Sequence, residues 1–363
     1  TSTGNIRADL IKFVTIFFYV GIYLYNMYQT YEIAYFLYST KDKLHTKMEG
    51  LVKFVNHSLN IMNNVPKNII EPYFNIKATY ENISINNSMT SIYKIWKDDI
   101  LKENLSSLLK TIYAVDVIYS INNLILEKNW SIVSYNNTET KFWDAKNPIL
   151  CDEQICNPIN LSKNIIVTGP NAGGKTTYVK TILSNVILGQ TIGISYSIKS
   201  QMILYDTINS FMRVSDVLGN RSYFEAEAEY CLNMIKKANE INANNKSGLF
   251  LMDEPMHSTP PIEGMSTAYA VIEYLSKLNG ITLIITTHFH RLIKLEEIYP
   301  YKFINLSVDA IPYNKRYHFP YKINRGHSYL CIAIELLDIK DFPKDIIDNA
   351  IKMKNKICMD INK

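Results

Sequence analysis

An all-α region followed by an α/β domain is the architecture this sequence predicts, and three observations predict it. Residues 5–60 and 89–128 carry apolar side chains at i, i+3 and i+4 spacing with few glycines, the period of helices. From Trp130 onward, short β-branched runs alternate with helix-compatible segments. The run Ile165-Ile166-Val167 then enters a glycine-rich turn and leaves it as a helix, the strand–loop–helix unit from which parallel sheets are built. The helical region is expected over 1–142 and the α/β domain over 143–363.

The first helix contains "FVTIFFYVGIYLYNMYQTY", residues 13–31, with no charge between Lys12 and Glu32. About 20 apolar residues span a bilayer. Asn26, Gln29, Thr15 and Thr30 dilute this run, and a buried, aromatic-rich helix accounts for it equally well. The membrane reading stays open and is not the favoured one. No small-residue cleavage site follows the run, so a secreted product is not expected and the expected location is intracellular. The chain begins at Thr1 without an initiator Met, as a processed product or a fragment would. Residues 63–88 are polar, with Pro66 and Pro72, and read as a connection. "LSSLLKTIYAVDVIYSINNLILEK" (105–128) is the clearest helical pattern.

Charge excludes little and promises little. The 38 Lys and Arg against 34 Asp and Glu leave +4, too mild to mark a nucleic-acid binder by itself. Residues 1–142 hold 14 basic and 12 acidic residues, so no basic arm is concealed there. Cys151 and Cys156 are the only closely spaced cysteines, and without further ligands they read as free thiols in a reducing compartment rather than a zinc site.

The chemistry begins at "TGPNAGGKTT". Gly169, Pro170, Asn171, Ala172, Gly173, Gly174, Lys175, Thr176 and Thr177 form the G-x-x-x-x-G-K-T pattern of a phosphate-binding loop, extended by one threonine. Glycines let backbone N–H groups converge on phosphate oxygens with no Cβ in the way, and the helix that follows adds partial positive charge. Lys175 is expected on the outer phosphates and the Thr176 hydroxyl on magnesium. Downstream, "GLFLMDEP" (248–255) is an apolar strand ending in Asp253-Glu254. Buried carboxylates are rarely tolerated without a task. Asp253 is expected to hold the metal through water and Glu254 to polarise the attacking water. A third strand, "ITLIITTH", ends in His288, placed to sense the γ-phosphate. The expected cofactors are ATP and Mg2+. An acid pair followed by a strand-terminal histidine is the layout of ABC-type P-loop ATPases, which catalyse across a dimer interface. The transporter signature LSGGQ is absent, which argues against a transporter subunit.

In place of that signature stands "FMRVSDVLGNRSYFEAEAEYC" (211–231), and here the sequence resembles the MutS family of DNA mismatch-recognition proteins. TGPNAGGKTT matches the family's T-G-P-N-x-G-G-K-[ST]-T, "NPINLS" resembles its approach to the loop, and "TTHF" matches its T-H-[YF] element. "RSYFEAE" resembles R-S-x-F-x-x-E, which maps the serine offered in trans onto Ser222, its packing residue onto Phe224 and the family glutamate onto Glu227. The alternative for Ser222 is a plain helix cap. "YAVDVIYSINN" resembles the last core helix, and "HSYLCIAIELL…FPKDIIDNA" resembles the S-Y-G element with the helical pair that joins protomers, about 325–363. The resemblance implies a MutS-type P-loop ATPase domain behind part of a helical core or lever, acting as a homodimer or MutS-like heterodimer on double-stranded DNA.

The departures are as informative. After the acid pair the family has G-R-G-T-S-T-x-D-G, whereas this chain has "MHSTPPIEG". Met256 and Ser258 replace glycines, Pro260-Pro261 stiffen the loop, and Thr259 and Gly264 are kept. Leu330 stands where the S-Y-G glycine is expected. Gln154 takes the place of the family's aromatic beside adenine, leaving Ile155 and Tyr321 to cover the base. The family's mismatch wedge, F-x-E, occurs nowhere in these residues. Three readings are open: an ATP-hydrolysing motor that drives a clamp or lever on DNA, an ATP-binding clamp with little hydrolysis, and a membrane-tethered ATPase without mismatch recognition.

Overall fold

A computed structural model describes residues 3–64, 97, 99–151, 153–212, 223–313, 316–328, 330 and 333–361. The chain divides into two units, Thr1–Ser120 and Ile121–Lys363.

In the first unit, α1 (Thr3–Asn63) is continuous through the uncharged run, and α2 (Asp99–Leu126) begins. Buried residues here include Val55, Ser58, Leu108 and Thr111. The aromatic-rich segment expected to be buried is instead exposed from Leu10 to Tyr38, with Phe17 at 74% and Phe36 at 68%. No described residue covers it.

The second unit starts earlier than residue 143. β1 (Ser131–Tyr135) pairs with β5 (Ile194–Ser195) and β6 (Lys199–Met202), and β2 (Lys141–Ala145) pairs with β6 and β3 (Asn157–Asn160). These strands form a five-stranded sheet in the order β3-β2-β6-β1-β5, so the chain from Ser131 belongs to the α/β unit. A second sheet has six strands in the order β13-β10-β4-β9-β8-β7. They are β4 (Asn164–Thr168), β7 (Thr207–Phe211), β8 (Gly248–Asp253), β9 (Ile281–Thr286), β10 (Phe303–Val308) and β13 (Ile323–Arg325). All pairings within it are parallel except β10 with β13. A hairpin, β11 (Ile311–Tyr313) and β12 (Arg316–His318), comes after β10.

Through their middles the central strands carry unbroken apolar runs, Ile165–Val167, Leu249–Met252 and Leu283–Ile285, because both faces of the sheet are covered. Alternation divides their side chains. Ile165, Val167, Leu249, Leu251 and Ile284 point to one face, where they meet Val179, Ile182 and Val186 of α3 (Lys175–Ile192) and Phe142 and Met202 of the smaller sheet. Ile166, Phe250, Met252, Leu283 and Ile285 point to the other. There they meet Met234 and Ala238 of α4 (Tyr223–Ala243), Ile272 and Leu275 of α5 (Pro261–Lys277), and Leu292 and Leu295 of α6 (His290–Ile298). Helix α7 (Ala333–Ile339) and helix α8 (Lys344–Ile361) pack on each other at the end of the chain.

This topology puts the carboxyl ends of β4, β9 and β8 side by side. In open α/β sheets that edge is where ligands bind.

Candidate nucleotide-binding site

β4 runs into the glycine-rich loop, and the loop turns where only glycine fits. Gly169 has φ +132°, and a Cβ on it would lie 2.3 Å from the Val308 carbonyl oxygen. At Gly173 a Cβ would come within 2.7 Å of Val308 Cγ2. Gly174, at φ +96°, caps α3 without a side-chain hydrogen bond, so the first N–H groups of the helix face the loop. The Lys175 side chain is buried and folds back along the loop, with Nζ 3.0 Å from the Gly169 carbonyl and 3.3 Å from that of Pro170.

The neighbouring strand ends complete the cluster. Thr176 Oγ1 lies 3.1 and 3.0 Å from the two carboxylate oxygens of Asp253, at the end of β8. Thr286 Oγ1, at the end of β9, donates to Asp253 Oδ1 at 2.5 Å. The Glu254 backbone N–H donates to Thr286, with the carbonyl oxygen at 3.1 Å and Oγ1 at 3.0 Å, which anchors Glu254 at φ +51°. Glu254 Oε1 is 2.8 Å from His288 Nε2 and 3.6 Å from Lys175 Nζ. His288 Nε2 is also 2.8 Å from Asn171 Oδ1 and 3.1 Å from Lys175 Nζ. A single ring nitrogen cannot donate and accept at once. Protonated at Nε2, it serves both acceptors, Glu254 and Asn171, and the ammonium beside it is then a close contact rather than a donor.

Electrostatics follow from this geometry. The hydrogen bond from His288 lowers the Glu254 carboxyl from 4.5 to about 2, aided by the nearby positive charges of His288, Lys175 and His257 and opposed by burial. Glu254 is thus a carboxylate at any physiological pH.

Beside the loop opens a cleft of about 960 Å³, lined by Ile155, Asn157, Tyr321 and Ile323 together with Lys175, Thr176, Asp253 and Glu254. The Tyr321 ring approaches the loop so closely that a Cβ on Gly174 would lie 3.2 Å from its Cδ1. Gln154 folds its amide back onto the chain, donating to the Asn147 and Cys151 carbonyls and accepting from the Asn147 N–H. It shapes the cleft wall. Ser222 lies outside the described residues.

The family pattern for MutS domain V matches residues 165–358, more than half of the chain. The chain belongs to the MutS family. Among similar proteins is the DNA mismatch repair protein MutS of Finegoldia magna, 29% identical over 282 residues, which covers 73% of this chain and 32% of that protein. Proteins of the same name from Geobacillus sp. and Listeria monocytogenes are 27% and 26% identical over 68% and 76% of the chain. The chain spans about a third of the length of these curated MutS relatives.

Set beside the MutS pattern, the loop after Glu254 shows what its departures require. Met256 takes a left-handed conformation, φ +62°, where the family has glycine, and buries its side chain in the core. Ser258, at the other lost glycine, donates its N–H at 3.2 Å and its hydroxyl at 2.5 Å to Glu227 Oε2 of α4. Gly264 is kept because a Cβ there would lie 2.6 Å from the Met256 carbonyl oxygen. Pro261 opens α5 at its first turn, where its missing N–H is harmless. The Glu227–Ser258 link was not legible in the sequence, because neither residue advertises a partner 31 positions away.

Proposed function

We propose that this chain is the P-loop ATPase part of a MutS-type protein, hydrolysing ATP to drive a clamp or lever on double-stranded DNA. The convergence of Lys175, Thr176, Asp253, Glu254 and His288 at three adjacent strand ends carries the reading. Membership of a family whose relatives are named DNA mismatch repair proteins supports the association with DNA.

The residues fit the groups the family implies. Thr176 and Asp253 offer hard oxygen donors about 3 Å apart, the chemistry that Mg2+ selects. Bound there, the metal supplies charge neutralisation on the phosphates. The loop excludes Cβ atoms where backbone N–H groups face phosphate, and Lys175 adds a compact positive charge. Glu254, held as a carboxylate, orients and polarises water rather than storing its proton, since a base so weak gains little from full transfer. His288 holds Glu254 and Asn171 and fixes where that water stands. Ile155 and Tyr321 cover the base end of the cleft. The protomers join through the C-terminal helical pair, with Ser222 offered to the neighbouring site.

A second reading, an ATP-held clamp with little turnover, draws on the strained Met256 and on the Glu227–Ser258 link, which stiffen the loop that meets the partner. The Glu254→Gln variant separates the two. In a hydrolysing enzyme it retains ATP binding and loses steady-state phosphate release by about 100-fold or more, because the amide cannot polarise the attacking water as the carboxylate does. A parent with no release beyond that of the variant, despite tight binding, supports the clamp.

A further inference from the structure

Helix α1 carries an observation that the nucleotide chemistry leaves unused. From Phe13 to Tyr31 nineteen residues carry no charge, and at about 1.5 Å each they span roughly 28 Å, close to the thickness of a bilayer's hydrocarbon core. Ile16, Phe17, Phe18, Tyr19 and Val20 stand consecutively, and Ile22 to Tyr25 come next, all between 42% and 74% exposed. Neighbours on a helix point about 100° apart, so such runs leave no polar face. A helix that pairs with a second copy needs one apolar stripe and a polar back, which this segment lacks. An all-round apolar helix belongs either in a protein core or in lipid, and within the described residues this one is not buried at all.

Several of its polar groups bond within the helix, which an apolar solvent favours. Thr15 and Thr30 donate to the carbonyls of Ile11 and Asn26, both at 2.8 Å. Gln29 donates to the Tyr25 hydroxyl at 3.3 Å, and the Tyr28 hydroxyl donates to Glu32 at 2.9 Å. Tyr28, Tyr31, Tyr35 and Tyr38 crowd the C-terminal end, where amphipathic rings favour the membrane interface. Lys41, Lys43 and Lys47 follow about 15–24 Å beyond Tyr31, on the water side of that interface and interleaved with Asp42 and Glu49.

We propose that residues 13–31 of α1 cross a lipid bilayer, tethering the ATPase to the membrane. Among the described residues no second helix is long and apolar enough to cross a membrane. The proposal stands independently of whether ATP is hydrolysed.

The test uses the full chain, expressed in bacteria and also synthesised in the presence of phosphatidylcholine–phosphatidylglycerol vesicles. The chain should float with membranes on a density gradient and resist both high salt and alkaline carbonate. The double variant Phe17→Asp, Leu24→Asp should lower the membrane-to-soluble ratio by on the order of a thousand-fold or more, the effect of two charges near mid-bilayer. Its nucleotide affinity should be unchanged, since both positions are exposed and remote in sequence from the loop, and that readout shows the ATPase is still folded. Extraction of the parent by carbonate, pelleting without flotation, or equal flotation of the double variant would each overturn the proposal. So would a soluble parent dimer that cross-links through cysteines placed at Phe17, since a second copy would then cover the helix.

Discussion

The side-chain amide of Asn157 grips the backbone on both sides of Lys322. Its Nδ2 donates to the Tyr321 carbonyl at 2.9 Å and its Oδ1 accepts from the Ile323 N–H at 2.9 Å. Tyr321 is held in the left-handed region, φ +52°, with its ring against the glycine-rich loop. Each lost hydrogen bond in a part-buried setting is worth about 1 kcal/mol, more where the partner stays unsatisfied. Asn157→Leu, which keeps the volume and removes both bonds, should weaken ATP binding roughly 5- to 30-fold, and Asn157→Asp, which keeps the acceptor alone, should fall between. Calorimetric titration decides it. Unchanged affinity in Asn157→Leu would show that Tyr321 is not part of the base site.

Gly169→Ala should be among the most destabilising substitutions in the loop. The new Cβ would meet a backbone oxygen at 2.3 Å, and φ +132° is strained for any L side chain. Together these cost about 2–4 kcal/mol, which thermal unfolding would report as a drop of several degrees. A variant with the parent's midpoint would mean that the loop is free to rearrange.

The depressed carboxyl of Glu254 makes a signed prediction about acid. Because its folded value is about 2 against an ordinary 4.5, the charged form contributes stability in full above about pH 4.5. That contribution is lost as pH falls from 4.5 towards 2. Glu254→Gln carries no such group, so the difference in urea midpoint between parent and variant should change across that window and be flat above it. A difference independent of pH would remove the His288–Glu254 hydrogen bond as the cause.

Met256 sets two effects against each other. Replacing it with glycine relieves left-handed strain of about 1–3 kcal/mol but empties a buried site, and losing a buried Met costs about 2–5 kcal/mol. Burial wins. Met256→Gly should lower stability by about 1–3 kcal/mol while raising ATP turnover a few-fold, because the loop after Glu254 regains the family's flexibility. Denaturant unfolding and phosphate release measure the two sides; slower turnover would show that stiffness helps the chemistry.

If the active site is shared, mixing a Lys175→Ala chain with a Ser222→Ala chain places both lesions at one composite site and leaves the other intact. Mixed dimers should then regain a substantial part of the parental hydrolysis, against almost none for either homodimer. The measurement is phosphate release by mixed dimers isolated with two different tags. Failure to recover would argue against Ser222 acting in trans.

Phosphate chemistry is legible in sequence because it uses contiguous segments. A glycine-rich loop must be local, since its backbone N–H groups converge over a few residues, and an acid pair must follow its strand directly. Lys175, Thr176, Asp253, Glu254 and His288 were therefore identifiable one by one, and the fold brings them together. Gln154 was legible as a departure from the family's aromatic, but not its role: only the folded chain shows the amide turned back onto Asn147 and Cys151.

Sequence alone determined the alternation of apolar runs, and with it the two-sided burial of the central strands, because period and β-branching are local properties. It also determined that residues 13–31 are uncharged. Tertiary structure alone decided what those facts meant. It drew β1 and β2 into the α/β unit through pairing with β5 and β6, moving the boundary towards the N-terminus. It placed Val308 against Gly169 and Gly173, and Asn157 against Tyr321 across 164 residues, contacts that no local spacing encodes. Among the described residues it also left the aromatic helix uncovered, since burial is a property of neighbours, and a helix cannot supply its own.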